Sequence, residues 1–154
     1  MNAAAVPEGV AHGPFELRGP EATAAYGARL ADRLPHGATL LLVGPLGAGK
    51  TTLVRALVAA AGGPDDATSP SYALVHAYPT PHGEVVHVDA WRLPDAASAE
   101  RLALDEAGDH ARWIVIEWGD LLAAAHPEAW RLVLDRPSGR DDLRIATLAA
   151  PEDR

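Results

Sequence analysis

The stretch Leu40-Leu41-Leu42-Val43-Gly44-Pro45-Leu46-Gly47-Ala48-Gly49-Lys50-Thr51-Thr52 constrains this chain more than any other. It opens as an all-apolar run, the pattern of a strand buried on both faces. It breaks at Gly44 and resumes from Lys50 with helical spacing. Between the two lies G-x-x-x-x-G-K-T, a phosphate-binding P-loop, and each residue type has a physical reason. The glycines let the backbone turn tightly, so that N–H groups point inward at phosphate oxygens. The helix that follows brings its positive N-terminal end to the same spot. Lys50 reaches the β- and γ-phosphates, and Thr51 offers a hydroxyl to Mg²⁺. Leu46, Gly47, Ala48, Gly49, Lys50, Thr51 and Thr52 are therefore the expected phosphate-contacting residues.

The rest of the chain supplies a sheet around that motif. Phe15-Glu16-Leu17 reads as a short edge strand. A helix begins at Pro20, with Tyr26, Leu30, Ala31 and Leu34 on its buried side and Pro35-His36-Gly37 as its stop. Ala38 to Val43 is the strand that enters the loop. The helix from Lys50 carries Leu53, Val54, Leu57, Val58 and Ala61, and Gly62-Gly63-Pro64 ends it. Asp65 to Ser71 is dense in turn formers. Tyr72 to Tyr78 and Glu84 to Asp89 read as an antiparallel hairpin. Asp95 to Gly108 is helical in pattern, Trp113 to Glu117 is another buried strand, and a short helix follows Gly119. Trp130 to Leu134 and Leu143 to Leu148 form a final hairpin, whose charges from Arg136 to Asp142 read as a solvated turn. The expectation is an α/β fold, a single P-loop NTPase-like domain with a mixed parallel/antiparallel sheet flanked by helices. Residues 1–14 are Ala/Pro/Gly-rich and read as a flexible N-terminal segment. Residues 15–150 form the domain and 151–154 a short tail.

Bulk properties narrow the function. A chain of 154 residues is long enough to bury a core without staples. It has no cysteine, which removes disulfides, thiolate zinc sites and cysteine nucleophiles. The formal net charge of −8, without a Lys/Arg stripe, makes direct gripping of nucleic acid a poor expectation. No apolar run has the length of a membrane span and the N-terminus lacks signal-peptide character, so a cytoplasmic location is expected.

A P-loop alone binds phosphates; hydrolysis or transfer also needs a metal site and a group that orients the attacking atom. Two acids end buried strands where such groups belong. Val85-Val86-His87-Val88 runs into Asp89, and Trp113-Ile114-Val115-Ile116 runs into Glu117. The alternative for each is a strand end that merely meets solvent. His87-x-Asp89 puts two side chains on one strand face. The remaining histidines do not cluster at metal-ligand spacing, so His87 reads as a hydrogen-bonding core residue or a supporting neighbour of the site. Ser69 and Ser71 lie where a nucleotide-sensing segment would contact the γ-phosphate or metal, or else form an ordinary turn. Arg92, Trp91 and Trp118 stand near the acids. The Asn-Lys-x-Asp segment of guanine recognition is absent, since Asn2 is the sole asparagine, which favours ATP.

Four motifs taken together resemble the TsaE (YjeE-type) ATPases of tRNA threonylcarbamoyladenosine biosynthesis. They are Gly44-Pro45-Leu46-Gly47-Ala48-Gly49-Lys50-Thr51-Thr52, Thr68-Ser69-Pro70-Ser71-Tyr72-Ala73-Leu74-Val75, His87-Val88-Asp89-Ala90-Trp91-Arg92-Leu93 and Ile116-Glu117-Trp118. The resemblance implies a partner-stimulated, Mg²⁺-dependent ATPase. Its catalytic residues would be Lys50, Asp89 and Glu117, its metal residues Thr51, Glu117 and Asp89, and Ser69, Ser71 and Trp118 would lie at the nucleotide. The implied partners are the threonylcarbamoyl-transferase catalytic subunit and its dimerising companion, which ATP hydrolysis would reset, with tRNA met only indirectly. Pro45, Ser71, Trp91 and Gly119 depart from the family pattern, which usually has Asp, Thr, Tyr and Pro there. Two other readings of the same scaffold are a small P-loop kinase acting on a metabolite and a nucleotide-sensing binding module with little turnover.

Overall fold

The computed structural model describes residues 12–64, 75–89, 98, 101, 110–117 and 126–151. Seven strands and two helices are defined among them: β1 His12–Arg18, α1 Gly19–Ala31, β2 Ala38–Val43, α2 Lys50–Ala60, β3 Val75–Tyr78, β4 Glu84–Asp89, β5 Ala111–Glu117, β6 Trp130–Asp135 and β7 Leu143–Ala149. They form one sheet in the order β1-β7-β6-β2-β5-β4-β3. The four inner strands β6, β2, β5 and β4 run parallel, and the β4–β3, β6–β7 and β7–β1 pairs are antiparallel. This is the mixed sheet expected from the alternation of hairpins with strand–helix units.

Burial explains why the inner strands are largely apolar. Leu40, Leu41 and Leu42 are each completely buried although successive side chains point to opposite faces. Leu40 and Leu42 join Val85, Trp113 and Val115 in one cluster with Tyr26, Leu30, Leu53 and Leu57 of the two helices. Leu41 joins Val86, Val88 and Ile116 in a second cluster on the opposite face. By the same alternation His87, Asp89 and Glu117 belong to the face that α1 and α2 cover. The helices lie against each other at Gly27, where an added Cβ would come within 2.8 Å of the Ala56 Cβ.

The boundaries depart from the sequence expectation at a few points. α1 ends at Ala31, and Leu34 is buried from the following turn instead of from the helix. β1 begins at His12, inside the segment read as an N-terminal tail, because His12 pairs with Leu148 of β7. The pairing is irregular between His12 and Phe15, which accommodates Gly13 at φ +83° and Pro14 without a ladder N–H. The strand over residues 72–78 is described from Val75 onward. Ser98 and Arg101 are helical, within the helix expected over residues 95–108; the remainder of that helix and the short helix after Gly119 fall outside the described residues.

Candidate functional site

Parallel pairing brings the C-terminal ends of β2, β4, β5 and β6 to one edge of the sheet, where α/β folds carry their ligands. β2 leads there into Gly44. The P-loop backbone is built on two left-handed glycines, Gly47 at φ +80° and Gly49 at φ +99°, the latter directly preceding α2. Gly44 is required for a different reason: a Cβ there would lie 2.4 Å from the Leu134 carbonyl oxygen of β6. Pro45 donates no hydrogen bond, but its carbonyl accepts from the Ala48 N–H at 3.1 Å and from Lys50 Nζ at 3.3 Å. Leu46 is 85% exposed, so of this residue only the backbone belongs to the loop's inner surface.

Lys50, the sole lysine of the chain, is the buried cation of the site. Its Nζ donates to the Gly44 carbonyl at 2.5 Å as well as to Pro45. Burial pushes its pKa below the ordinary value, and the negative charges of Glu117 and Asp89 oppose that shift. These two acids close β4 and β5 and stand opposite each other in the parallel register, Asp89 with Glu117. Both are almost fully buried. Two carboxylates and the Thr51 hydroxyl are hard oxygen donors. Among the described residues no group of three or more His, Cys, Asp or Glu could cage an ion. Such a set suits Mg²⁺, which is held by one or two carboxylates together with phosphate oxygens and water.

His87 is completely buried one pleat below Asp89, with Nε2 3.5 Å from Glu117 Oε1. It is the neighbour of the site that its strand position predicted. Ser69, Ser71 and Trp118, expected at the nucleotide, lie outside the described residues, as do Trp91 and Arg92.

The structure brings Thr23, Asp141, Asp142 and Arg144 to the loop beside residues already expected there. A cleft of roughly 260 Å³ adjoins the P-loop on the side away from the acids, bounded by Pro20 and Thr23 of α1, Thr52, and Asp141, Asp142 and Arg144 at the β6–β7 turn. β7 and β1 are antiparallel neighbours, so the start of β7 and the end of β1 return to the edge where β2 exits, and the Gly19 N–H donates to the Asp142 carbonyl at 2.8 Å. Arg144 donates through Nε and Nη2 to the Gly47 carbonyl at 3.2 and 3.0 Å. Arg136 lies over Gly47, its Nη1 2.9 Å from where a Cβ would be. The turn read as merely solvated is exposed and also forms a wall of the P-loop. One signal was available: Thr23 is the only serine or threonine in an alanine-rich helix, and it is buried beside Gly49.

Comparison with known proteins gives a concordant result. A sequence model of the family described as "Threonylcarbamoyl adenosine biosynthesis protein TsaE" matches residues 17–144. The tRNA threonylcarbamoyladenosine biosynthesis protein TsaE of Mycobacterium leprae is 38% identical over 139 residues, covering 82% of this chain and 84% of the relative. The protein of the same name from Streptomyces coelicolor is 36% identical over 134 residues, covering 83% and 90%. Among solved structures, YdiB of Bacillus subtilis superposes with a TM-score of 0.67 at 26% identity, covering 88% of this chain and 84% of that one.

Proposed function

This chain belongs to the TsaE family of tRNA threonylcarbamoyladenosine biosynthesis proteins, and on that premise we propose that its P-loop edge is a Mg²⁺-dependent ATPase site whose turnover is stimulated by partners. The observation that carries this reading is the register that sets Asp89 opposite Glu117, with the Lys50 ammonium as their charged neighbour at the exit of β2.

The chain's own groups divide the work. The amides that follow Gly47 and Gly49 face the phosphates at the N-terminus of α2. Lys50, held by the Gly44 and Pro45 carbonyls, transfers its hydrogen bonds to phosphate oxygens when nucleotide enters. Thr51, Asp89 and Glu117 would hold the metal, which when bound would neutralise charge developing on the phosphates. Glu117 also orients the attacking water and accepts its hydrogen bond. The cleft between α1 and the β6–β7 turn receives the nucleoside, and Ser69, Ser71 and Trp118 are further nucleotide-binding residues. In the cell the site acts in the cytoplasm on the cycle of a threonylcarbamoyl-transferase catalytic subunit and its dimerising companion, resetting that assembly between modifications. The acidic balance of the chain, −8 overall, agrees with a subunit that meets tRNA only through those partners.

The test is ATP turnover by the purified chain, alone and with the two partner proteins, in Mg²⁺ and in EDTA. Turnover that requires metal and rises with both partners is expected. Lys50→Ala should lose nucleotide binding, and Glu117→Gln should bind ATP but turn it over at least about 100-fold more slowly, the usual scale for loss of a positioned acid–base group. No turnover above background in the complete mixture would remove the ATPase reading.

A further inference from the structure

We propose that His87 is a positioning residue for Glu117, its Nε2–H holding one carboxylate oxygen so that the other is fixed toward the metal and Lys50. The inference rests on the nucleotide-site reading above and goes beyond it, since no phosphate or metal contact is asked of the imidazole itself.

Three observations lead to it. His87 is completely buried; Val85, Val86 and Val88 of its own strand and Val115 and Ile116 of β5 are apolar and buried, while across β3 it stands opposite the half-buried His76, whose Nδ1 lies 3.0 Å from the Tyr78 hydroxyl. A valine or leucine would satisfy such a place better than an imidazole, whose N–H and lone pair are costly to bury. Neither ring nitrogen has a hydrogen-bond partner among the described residues. Oε1 of Glu117 lies 3.5 Å from Nε2. That separation is the outer limit of a hydrogen bond, and a small rotation of the carboxylate shortens it.

The parallel register explains why the pair can form at all. His87 stands opposite Val115 and Asp89 opposite Glu117, so the imidazole is diagonal to Glu117 on the same sheet face. Asp89 lies beside the Glu117 backbone while His87 meets its carboxylate from below. Carboxylates at metal sites are themselves commonly anchored by hydrogen bonds, and those anchors set which oxygen is presented. A neutral imidazole in its Nε2–H form suffices, and no protonation step is involved.

The roles of anchor and simple filler separate on substitution. His87→Leu keeps the volume and removes the donor; His87→Gln retains an N–H near the position of Nε2. Binding of a fluorescent N-methylanthraniloyl-ATP would be titrated with Mg²⁺ and in EDTA for both variants in the full chain, beside thermal melts. His87→Leu is expected to bind within about 2-fold of wild type in EDTA yet to need about 10- to 100-fold more Mg²⁺ for half of the metal-dependent gain, the scale for lost support of a metal ligand. Its melting temperature should equal or exceed that of wild type, because an unpartnered buried polar group has gone. His87→Gln should return the Mg²⁺ dependence to within about 3-fold of wild type. An unchanged Mg²⁺ dependence in His87→Leu, or a His87→Gln variant as impaired as His87→Leu, overturns the proposal. Should His87→Leu fail to give a cooperative melt, His87→Gln alone decides: near-wild-type dependence supports the anchor and an order-of-magnitude shift refutes it. Lys50→Ala keeps the two readings apart. If it binds nucleotide normally, the nucleotide site itself is misassigned; if it loses binding while His87→Leu is unaffected, the site stands and the anchor falls.

Discussion

Gly27→Ala tests whether the packing of α1 on α2 sets the position of the P-loop. The glycine is buried, and an alanine methyl would lie 2.8 Å from Ala56 Cβ, 3.1 Å from the Leu53 carbonyl oxygen and 3.3 Å from Leu53 Cδ1. The first two are atoms that no side-chain rotation can move. Alanine gains about 1 kcal/mol of helix propensity over glycine. Forcing a methyl into a packed contact costs about 1–3 kcal/mol, and two immovable neighbours put this case in the upper half of that range. The net expectation is a loss of about 1–2 kcal/mol. Ala56→Gly should lose a similar amount, about 1 kcal/mol from propensity and a few tenths from its half-buried methyl. The double variant moves the methyl from one helix to the other and cancels the propensity terms. It removes the Ala56 contact but keeps that with the Leu53 carbonyl, and should lie within about 1 kcal/mol of wild type, a coupling of about 1–2 kcal/mol, where independent sites would add. Urea denaturation at a common slope reads all four proteins. Because Lys50 begins α2, nucleotide affinity should fall in Gly27→Ala and recover in the double variant. A Gly27→Ala protein at least as stable as wild type, with additive behaviour in the double variant, would refute the close-packing argument.

Arg144→Ala removes two donors to the Gly47 carbonyl and should weaken ATP-analogue binding by about 5-fold, equivalent to about 1 kcal/mol, with little change in melting temperature. Arg144→Lys should not restore it, because an ammonium lacks the guanidinium fork; unchanged binding in Arg144→Ala would dismiss the tether. Gly44→Ala should cost about 2–3 kcal/mol in urea unfolding, since the methyl meets the fixed Leu134 carbonyl at 2.4 Å, and a variant of wild-type stability would contradict that geometry. For pH, burial holds Lys50 below its ordinary 10.5, so the unfolded chain takes up this proton first. The associated stability is present above 10.5 and lost as pH falls through the folded value. Wild type should therefore gain stability relative to Lys50→Met as pH rises from neutral toward 10.5, and a flat or falling difference would contradict the assignment. Tyr26 acts in the opposite sense: burial raises it, Arg29 partly opposes, and stability is lost as pH climbs past its ordinary 10.0. It is common to both proteins and cancels in the difference.

What was legible in the sequence follows from where each constraint is encoded. β2, β4 and β5 are buried on both faces, so each reads as a mainly apolar run, broken in β4 by His87, and two of them are closed by an acid. The glycines and the helical restart at Lys50 are equally local. The first residues of β1 were missed because His12 to Pro14 have no strand pattern of their own and are drawn in by pairing with β7, far along the chain. The β6–β7 turn was misread for a related reason. Arg136, Asp141, Asp142 and Arg144 are polar and exposed, as a solvated turn should be, and only the order β7-β6-β2 carries them to the P-loop. The contact of His87 with Glu117 likewise comes from the register of two strands, which no spacing within either strand records. Pro45 shows the converse, a local oddity that the tertiary structure makes intelligible. The residue lacks an N–H, but the loop uses its carbonyl, which accepts from Ala48 and Lys50. A proline supplies that acceptor as well as any residue and fixes φ at the entry to the turn. The internal hydrogen bonds of the loop thus ask nothing of residue 45 that a proline cannot supply.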